Sequence, residues 1–188
     1  EGRDRFFLDP GHMSPMLYSV LALTGKFSLE ELAQFRQWGS VTPGHPEVDV
    51  MRGIENTSGP LGQGHTYAVG AAIAAKFLEA RLGKEVMGQT IYAYISDGGV
   101  QEEISQGAGR VAGTLGLDNL IMFYDANNIQ LSTTVEEISL QVLRRVQRES
   151  SRCSPSRVFV QVSHTQCRAT PIGVYSQWLH QVPYPSRR

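Results

Sequence analysis

Two apolar segments separated by the length of one helix constrain the fold of this chain more than any other feature. The segments TIYAYIS (90–96) and NLIMFYD (119–125) are apolar on nearly consecutive residues, a pattern typical of strands that are covered on both faces of a parallel sheet. Asp97 follows the first segment and Asn127 follows the second, 30 residues further along, which is about the length of one strand–helix–strand unit. The sequence therefore predicts two neighbouring parallel strands joined by a helix at about 101–115.

The other predicted elements fit the same layered architecture. A strand is predicted over 4–9 (DRFFLD), and helices are predicted over 13–23, from the capping box SLEE at 28–31 to Gly39, and over 66–83. The stretch 40–64 is rich in Gly, Pro, Ser and Thr and is predicted to be a long loop, which in a compact domain is usually functional or disordered. This order of elements indicates an α/β fold with a doubly wound, mainly parallel sheet and helices on both faces.

The bulk composition is that of an ordinary soluble globular protein. Of its 188 residues 41% are hydrophobic and 19% are charged, which suits one domain with a sizeable core. The longest run of small apolar residues, AVGAAIAA at 68–75, is too short to span a membrane. The chain does not begin with Met and shows no N-terminal signal pattern. We therefore expect a fragment of a cytoplasmic protein that does not act at a membrane.

The charge is unevenly distributed along the chain. Residues 138–188 contain eight of the 17 Lys and Arg residues, all of them Arg, but only one of the 18 acidic residues. Residues 1–137 therefore hold nine basic and 17 acidic residues, a net charge of −8. We predict a domain over 1–137, followed by an Arg-rich tail of unknown structure over 138–188. An unselected tail is favoured over a basic arm that binds nucleic acid, because the aromatic residues in it are few and form no repeat.

Asp97 and Asn127 are candidate metal ligands because both follow predicted parallel strands. The carboxyl ends of such strands meet at one edge of the sheet, where open α/β sheets bind ligands. Carboxylate and amide oxygens suit Mg²⁺ or Ca²⁺, and Mg²⁺ completes its coordination with phosphate oxygens and water. Gly98 and Gly99 would let a phosphate approach backbone amides at the start of the next helix. An isolated DGG or ANN is a turn in most proteins, so the metal-bridged diphosphate interpretation depends on the spacing between the two.

Four sequence blocks, taken in order, resemble transketolases. They are RDRFFLDPGH (3–12), FRQWGSVTPGHPE (35–47), TSGPLGQG (57–64) and SDGGVQEEISQGAGRVAGTLGLDNLIMFYDANNIQLS (96–132). The last block resembles the thiamine diphosphate signature of that family, which usually opens with GDG and closes with Asn. The resemblance covers residues 3–137 and implies a thiamine diphosphate-binding fold, of which this chain would hold a truncated part.

The resemblance assigns the diphosphate and the metal to the strand–helix–strand unit. It implies that Asp97 and Asn127 are magnesium ligands and that the backbone carbonyl of Ile129 is a third, with Ca²⁺ as an alternative ion. It also implies that the amide of Gly98 binds the diphosphate of the cofactor. Ser96 stands where the signature has its first Gly, a change that we expect to modulate cofactor binding without abolishing it.

Five further residues match positions that serve the rest of the site. Gly59 and Leu61 match backbone that supports the aminopyrimidine and thiazolium rings of thiamine diphosphate. Glu102 matches an acidic residue at the dimer interface close to the cofactor. His12 and His45 match two catalytic histidines that line the reacting carbon and the sugar hydroxyls, and histidine suits proton transfer near neutral pH.

The activity implied by the resemblance is the transketolase reaction of the pentose phosphate pathway. In that reaction a two-carbon glycolaldehyde unit passes from a ketose phosphate to an aldose phosphate. The family pattern also implies a homodimer, or pairing with a pyrimidine-binding domain that this chain lacks, so we expect the chain alone to be inactive. The alternatives are a non-catalytic cofactor-binding fragment, one part of a split enzyme, and a dihydroxyacetone synthase-like transferase.

Several polar residues near these blocks have simpler interpretations. His65 has no counterpart in the family pattern and is interpreted as a residue of the first turn of its helix, and Asp125 as the residue that orders the following turn. Arg36 fits a surface helix position as well as one that faces the site. Cys153 and Cys167, whose spacing matches no metal or redox motif, are predicted to be unpaired thiols.

Overall fold

A parallel sheet forms the centre of the protein. The computed structural model describes residues 2–127, 129–130, 133–135 and 159–162. The strands are β1 (Arg5–Leu8), β2 (Ile91–Ser96), β3 (Leu120–Asp125), β4 (Ile129–Gln130), β5 (Thr133–Thr134) and β6 (Phe159–Val162). The main sheet has the order β1–β2–β3–β6 with every pairing parallel, while β4 and β5 form a separate antiparallel pair.

Helices lie between these strands along the chain. They are α1 (Ser14–Leu23), α2 (Leu29–Ala33), α3 (Gln63–Leu82), α4 (Lys84–Met87), α5 (Asp97–Gln101) and α6 (Glu103–Leu115), and a 3₁₀ turn over Gly11–Met13 precedes α1. The predicted capping box is confirmed at α2: the Ser28 hydroxyl accepts from the Glu31 amide at 3.2 Å, and the Glu31 carboxylate accepts from the Ser28 amide at 2.8 Å. Within the described ranges, no helix combines the length and the apolar character needed to cross a membrane.

The two faces of the sheet bury different clusters, because side chains alternate along each strand. The larger cluster packs α3 and α6 against one face and contains Phe7, Ala68, Val69, Ala72, Ile91, Ala93, Ile95, Val100, Ala112, Leu117, Leu120, Met122 and Tyr124. The second cluster, on the face that carries Phe6, Leu8 and Tyr94, packs α1 against the sheet through Leu17 and Tyr18. Helices therefore cover both faces, and the predicted α/β fold is confirmed.

The predicted strands are close to those observed. Segments 4–9, 90–96 and 119–125 correspond to β1, β2 and β3, each shortened by one residue at one or both ends. The helix predicted over 66–83 begins earlier, at Gln63, because Gly62 takes a left-handed conformation (φ 83°) that allows the chain to enter the helix there.

Two helix predictions need correction. The helix predicted from the capping box to Gly39 ends at Ala33. Arg36 has φ 63°, and its N–H donates to the Thr42 carbonyl at 3.0 Å instead of to a helical carbonyl. The helix predicted at 101–115 is present as α6, but the short helix α5 precedes it and Glu102 separates the two with an extended conformation (φ −65°, ψ 131°).

Strand β6 lies within the Arg-rich segment. Its backbone pairs with β3 over the register Met122–Phe159 to Asp125–Val162 and so continues the parallel sheet. The sheet that begins within 1–137 thus extends into 138–188, while the boundary at residue 137 stays a prediction. Cys153 and Cys167 lie outside the described residues.

Candidate cofactor site

The carboxyl edge of β2 and β3 brings the two predicted metal-ligand side chains to one side of the sheet. Ser96, the last residue of β2, pairs with Asp125, the last residue of β3. Asp97 directly follows Ser96, and Asn127 lies two residues beyond Asp125. The Asp97 side chain is 1% exposed and Asn127 is partly buried. Both side chains therefore leave neighbouring parallel strands at the same edge.

A tyrosine that the sequence analysis did not single out holds the Asp97 carboxylate. The Tyr124 hydroxyl donates a short hydrogen bond to Asp97 Oδ1. Burial raises the pKa of the Tyr124 hydroxyl, and the hydrogen bond and charge of Asp97 raise that pKa further. The phenol is therefore protonated at neutral pH and remains a donor. In the sequence Tyr124 has the pattern of a core aromatic residue in a strand, so no local signal marks this contact.

Two hydrogen bonds orient the Asn127 amide. Its Nδ2 donates to Asp125 Oδ2 at 3.3 Å, and its Oδ1 accepts from the backbone N–H of Ile129 at 2.9 Å. An amide oxygen carries two lone pairs, so Oδ1 can accept this bond and still coordinate a cation. Asp125 contacts the turn that it was predicted to order.

The DGG segment forms the first turn of α5. Ser96 has φ −111° and ψ 174°, a conformation open to any residue, so the backbone at this position does not require the glycine of the family signature. A Cβ atom at Gly98 would lie 3.0 Å from Leu61 Cδ1. The start of α5 is therefore in contact with the GPLGQG loop.

The GPLGQG loop packs against the junction of α5 and α6. Gly59 has φ 140° and Gly62 has φ 83°, conformations that glycine adopts at little cost. A Cβ atom at Gly62 would lie 2.8 Å from Glu102 Cβ and 3.0 Å from the Ile104 side chain. The loop thus places Gly59 and Leu61 close to the start of α5 and to the exposed Glu102.

His12 and His45 reach the same region from two different loops. Gly11 precedes His12, and a Cβ atom at Gly11 would lie 3.0 Å from Cγ and Cδ2 of the His45 ring. A Cβ atom at Gly59 would lie 3.1 Å from His45 Nδ1. Both histidine residues are exposed, so both rings are open to a bound molecule.

Hydrogen bonds tie the loop that carries His45 to α1 and β1. Ser14 Oγ donates to the Gly44 carbonyl at 2.6 Å. Asn56 accepts from the Leu8 amide at 3.1 Å and donates to the Leu8 carbonyl at 3.0 Å, as a neighbouring strand would. The long loop predicted at 40–64 is therefore tied to α1 at one end and to β1 at the other.

His65 lies in the first turn of α3, as predicted, but it is buried, with 4% exposure. Its Nδ1 lies 2.6 Å from Ser105 Oγ on α6, and its Nε2 has no hydrogen-bond partner among the described residues. Burial lowers the pKa of His65 to about 4, so its ring is neutral at pH 7. This contact joins α3 to α6.

The donors at this edge fit a divalent metal. Asp97 has a buried carboxylate, Asn127 has an amide oxygen and Ile129 has a backbone carbonyl, all of them hard oxygen ligands of the kind that Mg²⁺ prefers. The described residues contain no group of three or more His, Cys, Asp or Glu side chains that could hold a metal. The candidate set does not require one, because two of its three donors are amide or carbonyl oxygens.

Residues 1–147 match the protein family described as "Transketolase, thiamine diphosphate binding domain". The chain belongs to this family. It is 46% identical to a transketolase of Staphylococcus epidermidis and 51% identical to transketolase 1 of Pasteurella multocida, each over 138 residues. These alignments cover 72% and 71% of the chain.

Solved transketolase structures share the fold. The transketolase of Campylobacter jejuni superposes with a TM-score of 0.73 at 44% identity, covering 79% of this chain and 24% of that chain. The transketolase of Leishmania mexicana also superposes with a TM-score of 0.73, at 38% identity, and the superposition covers 79% of this chain and 23% of that chain. The family resemblance read from the four blocks is therefore confirmed.

The chain spans 21% of the length of the two bacterial relatives that it matches. The family match extends to residue 147, beyond the limit at 137 predicted from the blocks. Because these relatives are named transketolase, the dihydroxyacetone synthase-like alternative is not favoured.

Proposed function

We propose that this chain is the diphosphate-binding part of a transketolase, which transfers a glycolaldehyde unit from a ketose phosphate to an aldose phosphate. One observation carries the proposal: the register of β2 and β3 places Asp97 and Asn127 at the same edge of the sheet, beside the Gly98 turn. Such an arrangement suits a metal-bridged diphosphate, and the family supplies the identity of the cofactor as thiamine diphosphate.

In this proposal the metal is Mg²⁺, held by the Asp97 carboxylate, the Asn127 amide oxygen and the Ile129 carbonyl. The Gly98 amide binds the diphosphate, and the Tyr124 hydroxyl keeps the Asp97 carboxylate in position. Thiamine diphosphate, when bound, supplies a carbon centre that stabilises the negative charge left on the two-carbon unit. What this chain must provide is the placement of that cofactor and groups that move protons.

His12 and His45 are the proposed proton-transfer groups. Both residues are exposed, and the His45 ring lies against Gly11 and Gly59, next to the loop that supports the cofactor rings in this proposal. An imidazole within hydrogen-bond reach of a sugar hydroxyl can accept its proton and later return it. Gly59 and Leu61 would support the rings through their backbone.

The complete site is proposed to need a second protein surface. Glu102 is exposed at the junction of α5 and α6, where it can face the partner subunit of a homodimer or a separate pyrimidine-binding domain. The chain spans 21% of its relatives, so the missing part would carry that surface and the residues that bind the sugar phosphates. A location in the cytoplasm belongs to the same proposal.

Calorimetric titration with thiamine diphosphate tests the cofactor assignment. We expect the 188-residue chain to bind it with Mg²⁺ and to lose that binding in EDTA, because the metal would offset the repulsion between the Asp97 carboxylate and the negatively charged diphosphate. Asp97→Asn should weaken binding at least about tenfold, which corresponds to about 1.4 kcal/mol. Glu103→Gln, an exposed acid of α6, is the control. If Asp97→Asn and the control bind thiamine diphosphate equally well, Asp97 is not a ligand of the metal.

A transfer assay tests the catalytic part of the proposal. The chain alone should be inactive, and addition of the complementary part of a transketolase should produce transfer from a ketose phosphate to an aldose phosphate. His12→Ala and His45→Ala should each lower that activity while cofactor binding is retained. If the complemented chain binds cofactor but transfers nothing, the chain is a binding fragment and the catalytic proposal fails.

A further inference from the structure

We propose that Asp9 is a positioning residue of the cofactor site, and that the space for its side chain depends on glycine at position 99. The inference rests on the proposed function, because it concerns how three segments that build that site are held together. Asp9 is wholly buried, with 0% exposure. His12 follows it by three residues in the segment DPGH.

The backbone of Asp9 is fixed by the sheet. Its N–H donates to the Tyr94 carbonyl at 3.0 Å, which continues the β1–β2 ladder one residue past Leu8. A Cβ atom at Gly64 would lie 2.5 Å from Asp9 Cα and 2.7 Å from its N. The first turn of α3 therefore rests directly on the Asp9 backbone.

One oxygen of the Asp9 carboxyl group holds the start of α3. Oδ1 accepts from the Gly64 amide at 2.9 Å and from the His65 amide at 3.4 Å. It acts as the cap of a helix that begins more than 50 residues later, since Gly62 at the N-cap position has no side chain to do so. The contact fixes the end of the GPLGQG loop.

The other oxygen lies against the start of α5. Oδ2 has no hydrogen-bond partner in the described part of the chain. A Cβ atom at Gly99 would overlap it, and would lie 3.1 Å from Ile95 Cγ1 on the other side. Burial raises the pKa of the Asp9 carboxyl group. Hydrogen bonds from amides at the start of α3 lower that pKa, but the effect of burial is larger. The oxygen therefore occupies space that only a residue without a side chain leaves open.

Two segments of the candidate site, 59–64 and 97–99, meet at this one side chain, and a third, 10–12, directly follows Asp9 in the chain. The loop that carries Leu61 and the turn that carries Gly98 are in contact. The size of the Asp9 side chain sets the distance between this loop and this turn. A merely structural core residue would change the stability of the fold when replaced. Replacement of a positioning residue also changes the affinity of the folded protein for the cofactor. For Asp9, that change in affinity should depend on which residue stands at position 99.

A set of size-matched variants of the full chain tests the inference. Gly99→Ala should weaken the binding of thiamine diphosphate with Mg²⁺ about tenfold, measured by calorimetry well below the unfolding temperature. Asp9→Ser combined with Gly99→Ala should restore binding, because serine is shorter and its hydroxyl can still cap α3. Asp9→Asn combined with Gly99→Ala should not, because asparagine has the size of aspartate. Gly107→Ala on α6, where a Cβ atom would meet nothing within 4 Å, is the glycine control.

The inference is overturned if Gly99→Ala binds like Gly107→Ala, or if serine at position 9 restores no more than asparagine does. If Gly99→Ala alone does not fold, the comparison is made between the two double variants: the one with serine at position 9 should bind the cofactor and the one with asparagine should not. If the unaltered chain binds no cofactor, the proposed function fails instead. Amide hydrogen exchange over α5 then tests the positioning: protection lost in Gly99→Ala must return with Asp9→Ser.

Discussion

Tyr124 and Asp97 show how a buried carboxylate is kept in place at the edge of the sheet. Removing a carboxylate from water is costly unless hydrogen bonds replace the lost solvation. The Tyr124 hydroxyl, whose pKa is raised by burial, supplies one such bond to Asp97 Oδ1. The tyrosine thus contributes to the candidate metal site although it would not contact the metal.

Tyr124→Phe should therefore destabilise the fold by about 1–3 kcal/mol, because it removes one hydrogen bond from a buried carboxylate. Urea unfolding of the cofactor-free chain measures this difference. Tyr92→Phe is the matched control, since Tyr92 stacks on Phe123 in the same sheet and its hydroxyl makes no hydrogen bond with the described residues. Equal losses in the two variants would contradict the role given to the Tyr124 hydroxyl.

His65 makes the stability of the fold depend on pH. The pKa of His65 is about 4 in the folded protein against an ordinary value of 6.5, because the ring is buried. Between these values the unfolded chain binds a proton that the folded chain does not. The contribution of the neutral ring is fully present above about pH 6.5 and is lost as the pH falls toward 4, by about 3 kcal/mol in total.

His65→Gln should remove this part of the pH dependence. Between pH 7.5 and pH 5, the free energy of unfolding from urea titrations should fall less steeply in the variant than in the unaltered chain. A slope that is the same in the variant and in the unaltered chain would show that His65 is not held neutral.

At the scale of elements, helix α3 connects the candidate site to the core. Its buried face consists mainly of small residues, among them Ala68, Ala72 and Ala75, which let the helix approach the sheet closely. At the first turn the approach is closest, because Gly64 lies on the backbone of Asp9. The position of the GPLGQG loop thus follows from how α3 packs on β1 and β2.

Alanine substitutions at two glycines of α3 should have opposite effects. Gly64→Ala should destabilise the protein by about 1–3 kcal/mol, because its Cβ would be forced onto rigid backbone. Gly70→Ala, where a Cβ atom meets nothing within 4 Å, should stabilise it by up to about 1 kcal/mol through helix propensity. Thermal unfolding of both variants measures the difference. Similar effects at both positions would rule out close packing of α3 on β1.

At the scale of the whole molecule, we propose that the chain holds one side of a larger site. The described sheet has β1 and β6 at its edges, and the relatives from Staphylococcus and Pasteurella are much longer, since the chain spans 21% of each. The residues that would bind diphosphate and metal come from this chain, whereas the remainder of the site is proposed to come from the missing part. In this proposal, cofactor binding and catalysis can therefore be tested separately.

Thiamine diphosphate with Mg²⁺ should raise the thermal unfolding midpoint of the chain. A ligand that binds only the folded state at 100 times its Kd adds about 2.7 kcal/mol of stability. EDTA should remove the shift, and Asp97→Asn should reduce it, because EDTA would withdraw the proposed metal and the substitution would remove one of its proposed ligands. A shift of equal size in EDTA would show that the metal does not take part in binding.

Features that depend on neighbouring residues could be predicted from the amino-acid sequence. The apolar runs at 90–96 and 119–125 predicted β2 and β3, and the spacing of Asp97 and Asn127 predicted that both would leave the same edge of the sheet. The capping box at Ser28 could be predicted for the same reason, since both of its hydrogen bonds lie within one helical turn. The end of that helix could not be predicted, because the Arg36 N–H donates to the Thr42 carbonyl instead of to a carbonyl of the helix.

Contacts between residues far apart in the chain could not be predicted in this way, because they arise from packing in three dimensions. The bond from Tyr124 to Asp97 spans 27 residues, and the contact of His65 with Ser105 spans 40. Periodicity and caps reveal which face a residue presents, but not which distant side chain packing brings against it. Asp9 carries the same signal as Asp97, an acid at the end of an apolar strand. Its role became visible only when the first turns of α3 and α5 were found on either side of it.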